Sequence, residues 1–338
     1  MRAATAMRLG AGPAATILTV HGSDHPTDIG EGQSGNSGST DLYRLLGSDV
    51  RTDRLEITRQ FFRQGQRPAL EQYEYVVNLI TDPDQNPQVL ANVARLLRGY
   101  RGKVINPPAA VLRTTRDKVA ARLAGTPGLI VPKVVRFRAG RPAAVLVLIE
   151  RAGLAYPLIV RRAGTHGGHI LGLCQGADQV AACIEPGAEH FATEFFDYRS
   201  PDGHYRKARI FFIGGHMILR HRVALESWNV HAGDGHKYMM SHPALLAEED
   251  GMMAVSEGAF PPAVHDVLRD IRQRIGLDFF GVDFGLTEDG RLLLFEANAT
   301  MNFLPFAPDP RFEYLQRCIL PAQVALWEMV GLRHPTTA

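Results

Sequence analysis

Short apolar runs separated by polar segments dominate the first hundred positions of the chain. Strand-forming residues make up three of these runs, at 16–20, 75–80 and 103–106. Apolar residues recur at helical spacing over 89–97, just before Gly99. A spacing of two residues is typical of strands and one of 3.6 residues of helices. The pattern therefore predicts a small α/β domain over residues 1–107, ended by Pro107-Pro108.

Residues 22–40 interrupt this domain with Gly, Ser, Asp and Asn and almost no apolar side chain. A segment of that composition has little apolar area to bury. Its glycines also lack the fixed spacing and the following helix of a phosphate-binding P-loop. We therefore predict a mobile loop here in preference to a phosphate cradle.

The middle of the chain, residues 108–190, predicts a second α+β unit. A helix is expected at 117–123, capped by Thr114 or Thr115 and ended by Gly125. We expect strands at 131–137, 144–150, 156–160 and 170–173, and a short helix at 178–183.

The last part of the chain, residues 191–338, is rich in predicted strands, with one predicted helix at 262–275. The strands are expected at 191–196, 205–213 and 217–223, followed by a hairpin around Asp289-Gly290. Asp-Gly is strongly favoured in two-residue hairpin turns. Such a turn pairs Glu288 with Arg291.

Counted outward from that turn, Asp283 lies directly opposite Glu296, and Gly281 lies opposite Asn298. Opposed side chains are roughly 5 Å apart in a sheet, and like charges at that distance are destabilising. Apolar Leu292 and Leu294, predicted on the same face as the two acids, argue against full solvation.

Something must therefore compensate the two carboxylates. Carboxylate and amide oxygens are the ligands of hard divalent cations, and magnesium usually brings bound phosphates with it. The hairpin predicts a magnesium–nucleotide site at Asp283, Glu296 and Asn298, and a solvent-facing pair of acids is the alternative.

Other segments carry groups that suit an anion. The loop 161–169 combines Arg161 and Arg162 with glycines, which fits an anion contact or a glycine-rich hairpin with exposed arginines. Lys207 and Arg209 share one face of a predicted strand that continues into an apolar, buried segment. Contacts of these two cations with a phosphate or an oxyanion are therefore reasonable. Asn229 or His231 is a candidate contact to substrate or phosphate.

Composition narrows the class of protein. With 37 basic and 35 acidic residues, the net charge of +2 gives no support for a nucleic-acid partner. The longest apolar run, at 143–149, is too short for a membrane span. Three cysteines without metal-type spacing indicate reduced thiols. We expect a cytoplasmic protein with no membrane partner, for which a homodimer is one compatible state.

The hairpin sequence resembles the terminal motif of the ATP-grasp superfamily, specifically of its carboxylate–amine ligases. Gly281-Val282-Asp283 followed by Leu294-Phe295-Glu296-Ala297-Asn298 is similar to the motif of ribosomal-protein glutamate ligases and bacterial glutathione synthetase. The resemblance implies an α/β (α+β) fold in which the nucleotide lies between two α+β subdomains, 108–190 and 191–338. The small N-terminal domain precedes these subdomains in the chain. It implies two Mg²⁺ ions, replaceable by Mn²⁺, on Asp283, Glu296 and Asn298.

Weaker matches precede this motif in the chain and occur in the same order as the corresponding motifs of the family. Asn106-Pro107 and Arg116-Asp117-Lys118 resemble the start of the ATP-grasp domain, residues 157–168 resemble its lid strand and glycine loop, and Thr193-Glu194-Phe195-Phe196 resembles its adenine hinge. Nucleotide contacts are thereby assigned to Lys118, Arg161, Thr165, His166, Gly167, Gly168, Glu194, Phe195, Phe196, Asp197 and Lys207. Catalytic roles are assigned to Arg209, Arg161 and Asn229.

Three departures from the family pattern concern the lid and the acceptor. Arg161 stands where the lid usually has a lysine, and Gly281 stands where D-alanine–D-alanine ligases carry an arginine. Thr300-Met301-Asn302 stands where the ligases often have Ser-Pro-Gly, near the acceptor, so the identity of the acceptor substrate is left open.

The resemblance implies an ATP-dependent ligase that joins a small-molecule carboxylate to an amine through an acyl phosphate. A kinase on the same fold and a non-catalytic nucleotide-binding regulator are the alternatives.

Overall fold

The computed structural model describes residues 17–25, 40–47, 50–57, 61, 68–165, 169–304, 306, 308–333 and 335. The described residues form three β-sheets with helices packed on them. None of their helices combines the length and the apolar character that crossing a bilayer requires.

The N-terminal sheet is parallel, with strand order β2-β1-β3-β4. Its strands are β1 (Ile17–Gly22), β2 (Thr52–Ile57), β3 (Tyr75–Asn78) and β4 (Lys103–Ile105), and helix α1 (Pro87–Leu96) connects β3 to β4. The three strands and the helix predicted in this part are confirmed. Strand β2 was not predicted, because three of its six residues are charged. The predicted mobile loop lies, over 26–39, outside the described residues.

A second, antiparallel sheet, which we call the lid sheet, has the order β6-β9-β7-β8. Its strands are β6 (Val134–Arg138), β7 (Leu158–Arg162), β8 (Gly172–Cys174) and β9 (Glu189–Glu194), and it carries helices α4 (Pro142–Arg151) and α5 (Ala177–Cys183). Strand β9 straddles the domain boundary expected at residue 190.

The strand predicted at 144–150 is wrong, because this segment lies within α4. Pro142 occupies the first turn of the helix, where its missing N–H has no intrahelical partner to lose. Val145 and Ile149, four residues apart, are buried against the lid sheet, whereas Val147 and Leu148 are 44% and 39% exposed. The apolar residues on the exposed face hid the helical period.

The third sheet, the core sheet, has the order β11-β10-β12-β13-β5 and is antiparallel except where β5 meets β13. Its strands are β5 (Leu129–Ile130), β10 (Tyr205–Ile213), β11 (His216–Leu225), β12 (Phe279–Leu286) and β13 (Leu292–Asn298). The remaining helices are α2 (Pro108–Val111), α3 (Arg116–Leu123), α6 (Ala232–Met239), α7 (Pro243–Val255), α8 (Pro262–Ile275) and α9 (Ile319–Met329). The predicted helix at 262–275 is confirmed; α6, α7 and α9 were not predicted.

The hairpin β12–β13 contains two deviations from the predicted geometry that cancel. Its loop has three residues rather than two: Gly290 takes a φ of +79°, and the amide of Thr287 donates to the carbonyl of Arg291 at 3.0 Å. The predicted pairing of Glu288 with Arg291 is therefore wrong. A bulge between Asp283 and Phe284 then restores the expected register farther along.

Beyond the bulge, Asp283 pairs with Glu296 and Gly281 with Asn298, as predicted. On the turn side of it, Leu294 pairs with Phe284, so Leu294 points away from the face of Asp283. The predicted common face for the leucines and the acids is wrong. The leucines belong to the hydrophobic core behind the sheet.

Two of the three sheets share one hydrophobic cluster, and the lid sheet has another. One large cluster joins the N-terminal sheet, the core sheet, α8 and α9. The lid sheet has a separate cluster, formed with α4 and α5 around Leu158 and Val160. The N-terminal and core sheets are thus packed together, whereas the lid has a core of its own.

Candidate active site

A cavity of about 740 Å³ lies between the lid sheet and the core sheet, and residues of the N-terminal region also line it. The lid sheet contributes residues of β7 and β9, and the core sheet contributes residues of β10, β12 and β13. The N-terminal region contributes Thr40, Asp41, Arg44 and Gln85. Small-molecule sites are typically concave cavities of this size between domains.

Three residues on one face of β12 mark successive positions along the cavity: Gly281, Asp283 and Gly285. A Cβ atom on Gly285 would lie within 3 Å of Tyr198 and Phe295, and one on Gly281 would lie 2.5 Å from Met301 Sδ. Since a strand rises about 3.3 Å per residue, these positions span about 13 Å. The cavity thus has an aromatic end beside Gly285, a charged centre at Asp283 and an opposite end beside Met301.

The aromatic end contains the predicted adenine hinge. Phe195 lies edge-on to Trp228 at 5.3 Å between ring centroids, and the Glu194 carboxylate accepts the amides of Lys133 at 3.2 Å and Ala155 at 3.0 Å. The Thr193 hydroxyl is buried in the cavity wall without a hydrogen-bond partner among the described residues.

Two other residues of the predicted hinge are exposed. Phe196, 37% exposed, lines the cavity at its edge. Asp197, the candidate ribose contact, is not among the described lining residues, and its carboxylate accepts the amide of Arg199 at 3.0 Å.

Asp283 forms the charged centre with the two predicted cations of β10. Arg209 donates to both carboxylate oxygens, at 2.6 and 2.8 Å, and Lys207 Nζ lies 3.5 Å from one of them. Burial favours the protonated acid, but the two cations outweigh it and lower the pKa of Asp283 to about 2. Asp283 is therefore a buried, ionised carboxylate.

Glu296 and Asn298 are held beside Asp283 by other partners. Arg116 forms a 3.0 Å ion pair with Glu296 and donates to the carbonyl of Phe295 at 2.6 Å. The amide oxygen of Asn298 accepts the backbone amides of Thr300 at 2.9 Å and Met301 at 3.1 Å. The three predicted metal ligands are thus brought together on one side of the cavity.

The fit of this trio to magnesium rests on its donor chemistry. Two carboxylates and an amide are hard oxygen donors suited to Mg²⁺. No group of three His, Cys, Asp or Glu residues in the described ranges could hold a metal, so the amide of Asn298 is needed to complete the set. The expected carboxylate repulsion is already compensated by Arg209, Lys207 and Arg116, and an ion on Asp283 would have to share its oxygens with Arg209.

Arg161 of β7 reaches the cavity from the lid sheet. Burial, followed by the nearby charge of Arg116, lowers the pKa of its guanidinium to about 9. Its Nε is buried and has no hydrogen-bond partner in the described part of the chain. Thr165, also in the lining, donates its hydroxyl to the carbonyl of Arg162 at 2.8 Å. The predicted contacts His166, Gly167 and Gly168 lie outside the described residues.

Lys118, predicted to reach ATP phosphate, does not reach the cavity. Its side chain is exposed on α3 and donates to the carbonyl of Leu112 at 2.8 Å. Arg116, two residues earlier, points to the opposite side of the helix and lines the cavity instead. Of the cations of this motif, Arg116 and not Lys118 is among the described residues that line the cavity.

Asn229 and His231 both line the cavity beside the N-terminus of α6. The Nδ1 atom of His231 accepts the amide of Gly233 at 3.3 Å, and burial followed by Lys207 lowers the pKa of the imidazole. His231 is therefore neutral near pH 7 and leaves Nε2 for another contact.

The lining contributed by residues 40–44 was missed from the sequence. The Asp41 carboxylate accepts the amides of Phe303 at 2.9 Å and Leu304 at 2.7 Å, across 262 and 263 positions of the chain. Arg44 lines the same end of the cavity. No local motif marks such a contact, because it depends on how distant segments pack.

Comparison with known proteins adds to this geometry. No protein-family model matches the chain, and no curated protein matches it in sequence. The VanG D-Ala:D-Ser ligase of Enterococcus faecalis matches in structure with a TM-score of 0.52 at 13% identity, over 93% of this chain and 100% of that one. An ATP complex of carboxyaminoimidazole ribonucleotide synthase from Aspergillus clavatus matches with a TM-score of 0.52 at 12% identity, over 95% and 78%.

A RimK-domain ATP-grasp protein of Sphaerobacter thermophilus matches with a TM-score of 0.50 at 15% identity, over 94% of this chain and 100% of that one. Identities this low show the fold alone. The chain has the ATP-grasp fold, as its terminal motif predicted.

Proposed function

We propose that this protein is an ATP-dependent ligase that joins a carboxylate to an amine. The observation that carries the proposal is Arg161, a half-buried residue of the cavity lining that lies near Arg116 and whose buried Nε has no hydrogen-bond partner among the described residues. Unpaired buried charge is costly, so such a group calls for an anionic ligand. A nucleotide triphosphate supplies that anion in the ATP-grasp fold.

The order of the cavity supports one orientation of ATP. Adenine would lie at the aromatic end, near Phe195 and Tyr198, and the triphosphate would extend along β12 to the charged centre. Glu194, Phe196 and Thr165 line the same path, whereas Asp197 would have to turn from Arg199 to reach a ribose. The span of about 13 Å from Gly285 to Gly281 suits a nucleoside triphosphate with its γ-phosphate beyond Asp283.

Asp283, Glu296 and Asn298 are the residues that would hold magnesium. Bound there, Mg²⁺ would neutralise phosphate charge during transfer. Arg161 and Arg116 would contact phosphate oxygens, and Lys207 and Arg209 would stabilise the transferred group. All of these groups are fixed by ion pairs or burial before substrate arrives, which is the arrangement that favours electrostatic catalysis.

The proposed reaction has two steps. A substrate carboxylate oxygen attacks the γ-phosphorus of ATP, the bond to the β-phosphate oxygen breaks, and ADP leaves an acyl phosphate. A neutral amine then attacks the acyl carbon, phosphate departs with the bonding pair, and the amine loses a proton to form the amide. Arg209 would stabilise the oxyanion of the second step, and Asn229 would hydrogen-bond to the phosphoryl group.

The Met301 end of the cavity is the proposed substrate pocket. Met301 fills the space above Gly281, where an arginine would collide with it. Arg44 is a cation at this end that could meet a second carboxylate of the substrate. A similar structure is that of a D-Ala:D-Ser ligase, which supports amino acids as the first substrates to test.

The proposal is tested by a screen of amino-acid pairs for ADP release, with mass spectrometry of the products. We expect one or more pairs to stimulate release and to give a condensed product with free phosphate. A phosphorylated product would indicate a kinase, and binding of ATP without stimulation by any pair would indicate a regulator. Glu296→Ala should abolish turnover, whereas Glu288→Ala, an exposed acid in the loop of the same hairpin, should not.

A further inference from the structure

The lid sheet carries Arg161, yet it shares no hydrophobic cluster with the N-terminal sheet. Its described contacts with the N-terminal region include an ion pair and a hydrogen bond. They involve the segment 82–86, which follows β3 and which we call the latch turn.

The latch turn is held rigidly from within the N-terminal region. One carboxylate oxygen of Asp82 accepts the amides of Asp84 at 2.7 Å and Gln85 at 3.1 Å. The side-chain oxygen of Asn86 accepts the amide of Asp24 at 3.0 Å, and Asp24 in turn accepts two amides of α1. The side chains of Asp84 and Gln85 are thus presented to the lid from a fixed backbone.

Among the described residues, two hydrogen bonds join the latch turn to the lid, one to β6 and one to the segment just after β7. Arg136 of β6 donates to Asp84 at 2.5 Å, while its Nε donates to Glu189 of β9 at 2.6 Å. Gln85 donates its side-chain amide to the carbonyl of Gly164, immediately before Thr165 of the cavity lining. One contact is an ion pair in which Asp84 is 12% exposed and Arg136 30%, so solvent screens it only partly.

The two contacts lie on either side of Arg161 in the lid. Phe191 of β9 pairs with Arg136 on one side and with Arg161 on the other, so the three residues form one row across the lid sheet and share a face. With adjacent strands about 4.8 Å apart, the two arginines stand about 10 Å from each other. Gly164 lies three residues beyond Arg161 on the same strand end. The latch turn therefore holds the lid on both sides of Arg161.

We propose that Asp84 and Gln85 are positioning residues that latch the lid over the nucleotide and set the rate at which the nucleotide leaves. Asp84 acts through Arg136 and is not among the described residues that line the cavity, whereas Gln85 acts through Gly164 and also lines the cavity. Asp84 is therefore the residue whose effect on nucleotide release reports positioning alone. The inference rests on the proposed ATP site for its consequence, whereas the contacts of the latch turn with the lid can be tested without nucleotide.

Single-molecule FRET tests the latch without any nucleotide. Dyes on azido residues introduced at exposed positions 88, in α1, and 147, in α4, report the distance between the N-terminal and lid sheets. We expect one narrow, high-transfer population in the parent protein and an added low-transfer population in Asp84→Ala and Gln85→Ala. Glu185→Gln, an exposed acid of the lid that pairs with Arg162 and not with Arg136, is the matched control. Unchanged transfer in both latch variants, with unfolding midpoints like the parent's, overturns the proposal.

Stopped-flow release of a fluorescent ATP analogue tests the consequence. Loss of a charge-assisted bond predicts about a tenfold faster release for Asp84→Ala, with an association rate within twofold of the parent's. Release at the parent rate despite an opened lid would overturn the assigned role. A parent protein that binds no nucleotide would refute the ATP site instead, and FRET would still decide the latch.

Discussion

Asp283→Asn is the most informative substitution in the charged centre. It keeps the size of the side chain but removes the carboxylate that pairs with both Arg209 and Lys207. The two cations would remain in a buried position with their main partner neutralised. We therefore expect a loss of stability as well as a loss of function.

Two routes give the magnitude. A pKa of about 2 in the folded protein against 3.8 in the unfolded chain corresponds to about 2 kcal/mol of native-state stability. Removing one partner of a buried ion pair typically costs about 3–5 kcal/mol, because the other charge is left uncompensated. We expect the free energy of unfolding to fall by about 3 kcal/mol at pH 7.

The sign of the pH dependence follows from the lowered pKa. A carboxylate with a depressed folded-state pKa contributes its full stabilisation above the unfolded value of 3.8 and loses it as the pH falls toward 2. The difference between parent and Asp283→Asn should therefore be greatest near pH 7 and shrink below pH 4.

Urea unfolding followed by tryptophan fluorescence at pH 7 and pH 3 measures this difference. Asp289→Asn is the matched control, an exposed acid of the same hairpin paired with Arg291, and should leave stability close to the parent's because solvent screens this ion pair. An Asp283→Asn protein within about 0.5 kcal/mol of the parent at pH 7, or a difference independent of pH, would refute the account of a buried, ionised Asp283.

Three further predictions concern the cavity wall. Arg161→Gln should raise the ATP dissociation constant about tenfold or more in calorimetry without lowering the urea midpoint, because it removes a positive charge that Arg116 repels; a lower midpoint with unchanged affinity would contradict this. Arg116→Gln should weaken ATP binding while Lys118→Gln leaves it unchanged, and the reverse order would restore the role first predicted for Lys118. Gly281→Ala should cost about 1–3 kcal/mol in urea unfolding through its clash with Met301, and Met301→Ala should recover most of that loss; no recovery would place the strain elsewhere.

The paired acids were predictable because their register depends on local geometry. The prediction at Asp283 and Glu296 was correct although its turn was wrong, since the extra loop residue at the Asp289-Gly290 turn and the bulge beside Phe284 offset each other. A bulge leaves no clear mark in a single sequence. The same bulge turned Leu294 to the opposite face.

Other errors have the same kind of cause. The period of α4 was hidden because Val147 and Leu148 are apolar and exposed. Lys118 and Arg116 lie two residues apart on a helix, and only the packing of α3 decides which one faces the cavity. Asp41 reaches Phe303 across most of the chain, a contact that no local pattern specifies.

The path of one oxygen atom tests the central claim most directly. The acid that stimulates ADP release is labelled with ¹⁸O in its carboxylate, and the released phosphate is analysed by mass spectrometry. A ligase that works through an acyl phosphate transfers one ¹⁸O from each substrate molecule to phosphate. Phosphate without the label, or label carried into AMP, would contradict the proposed mechanism.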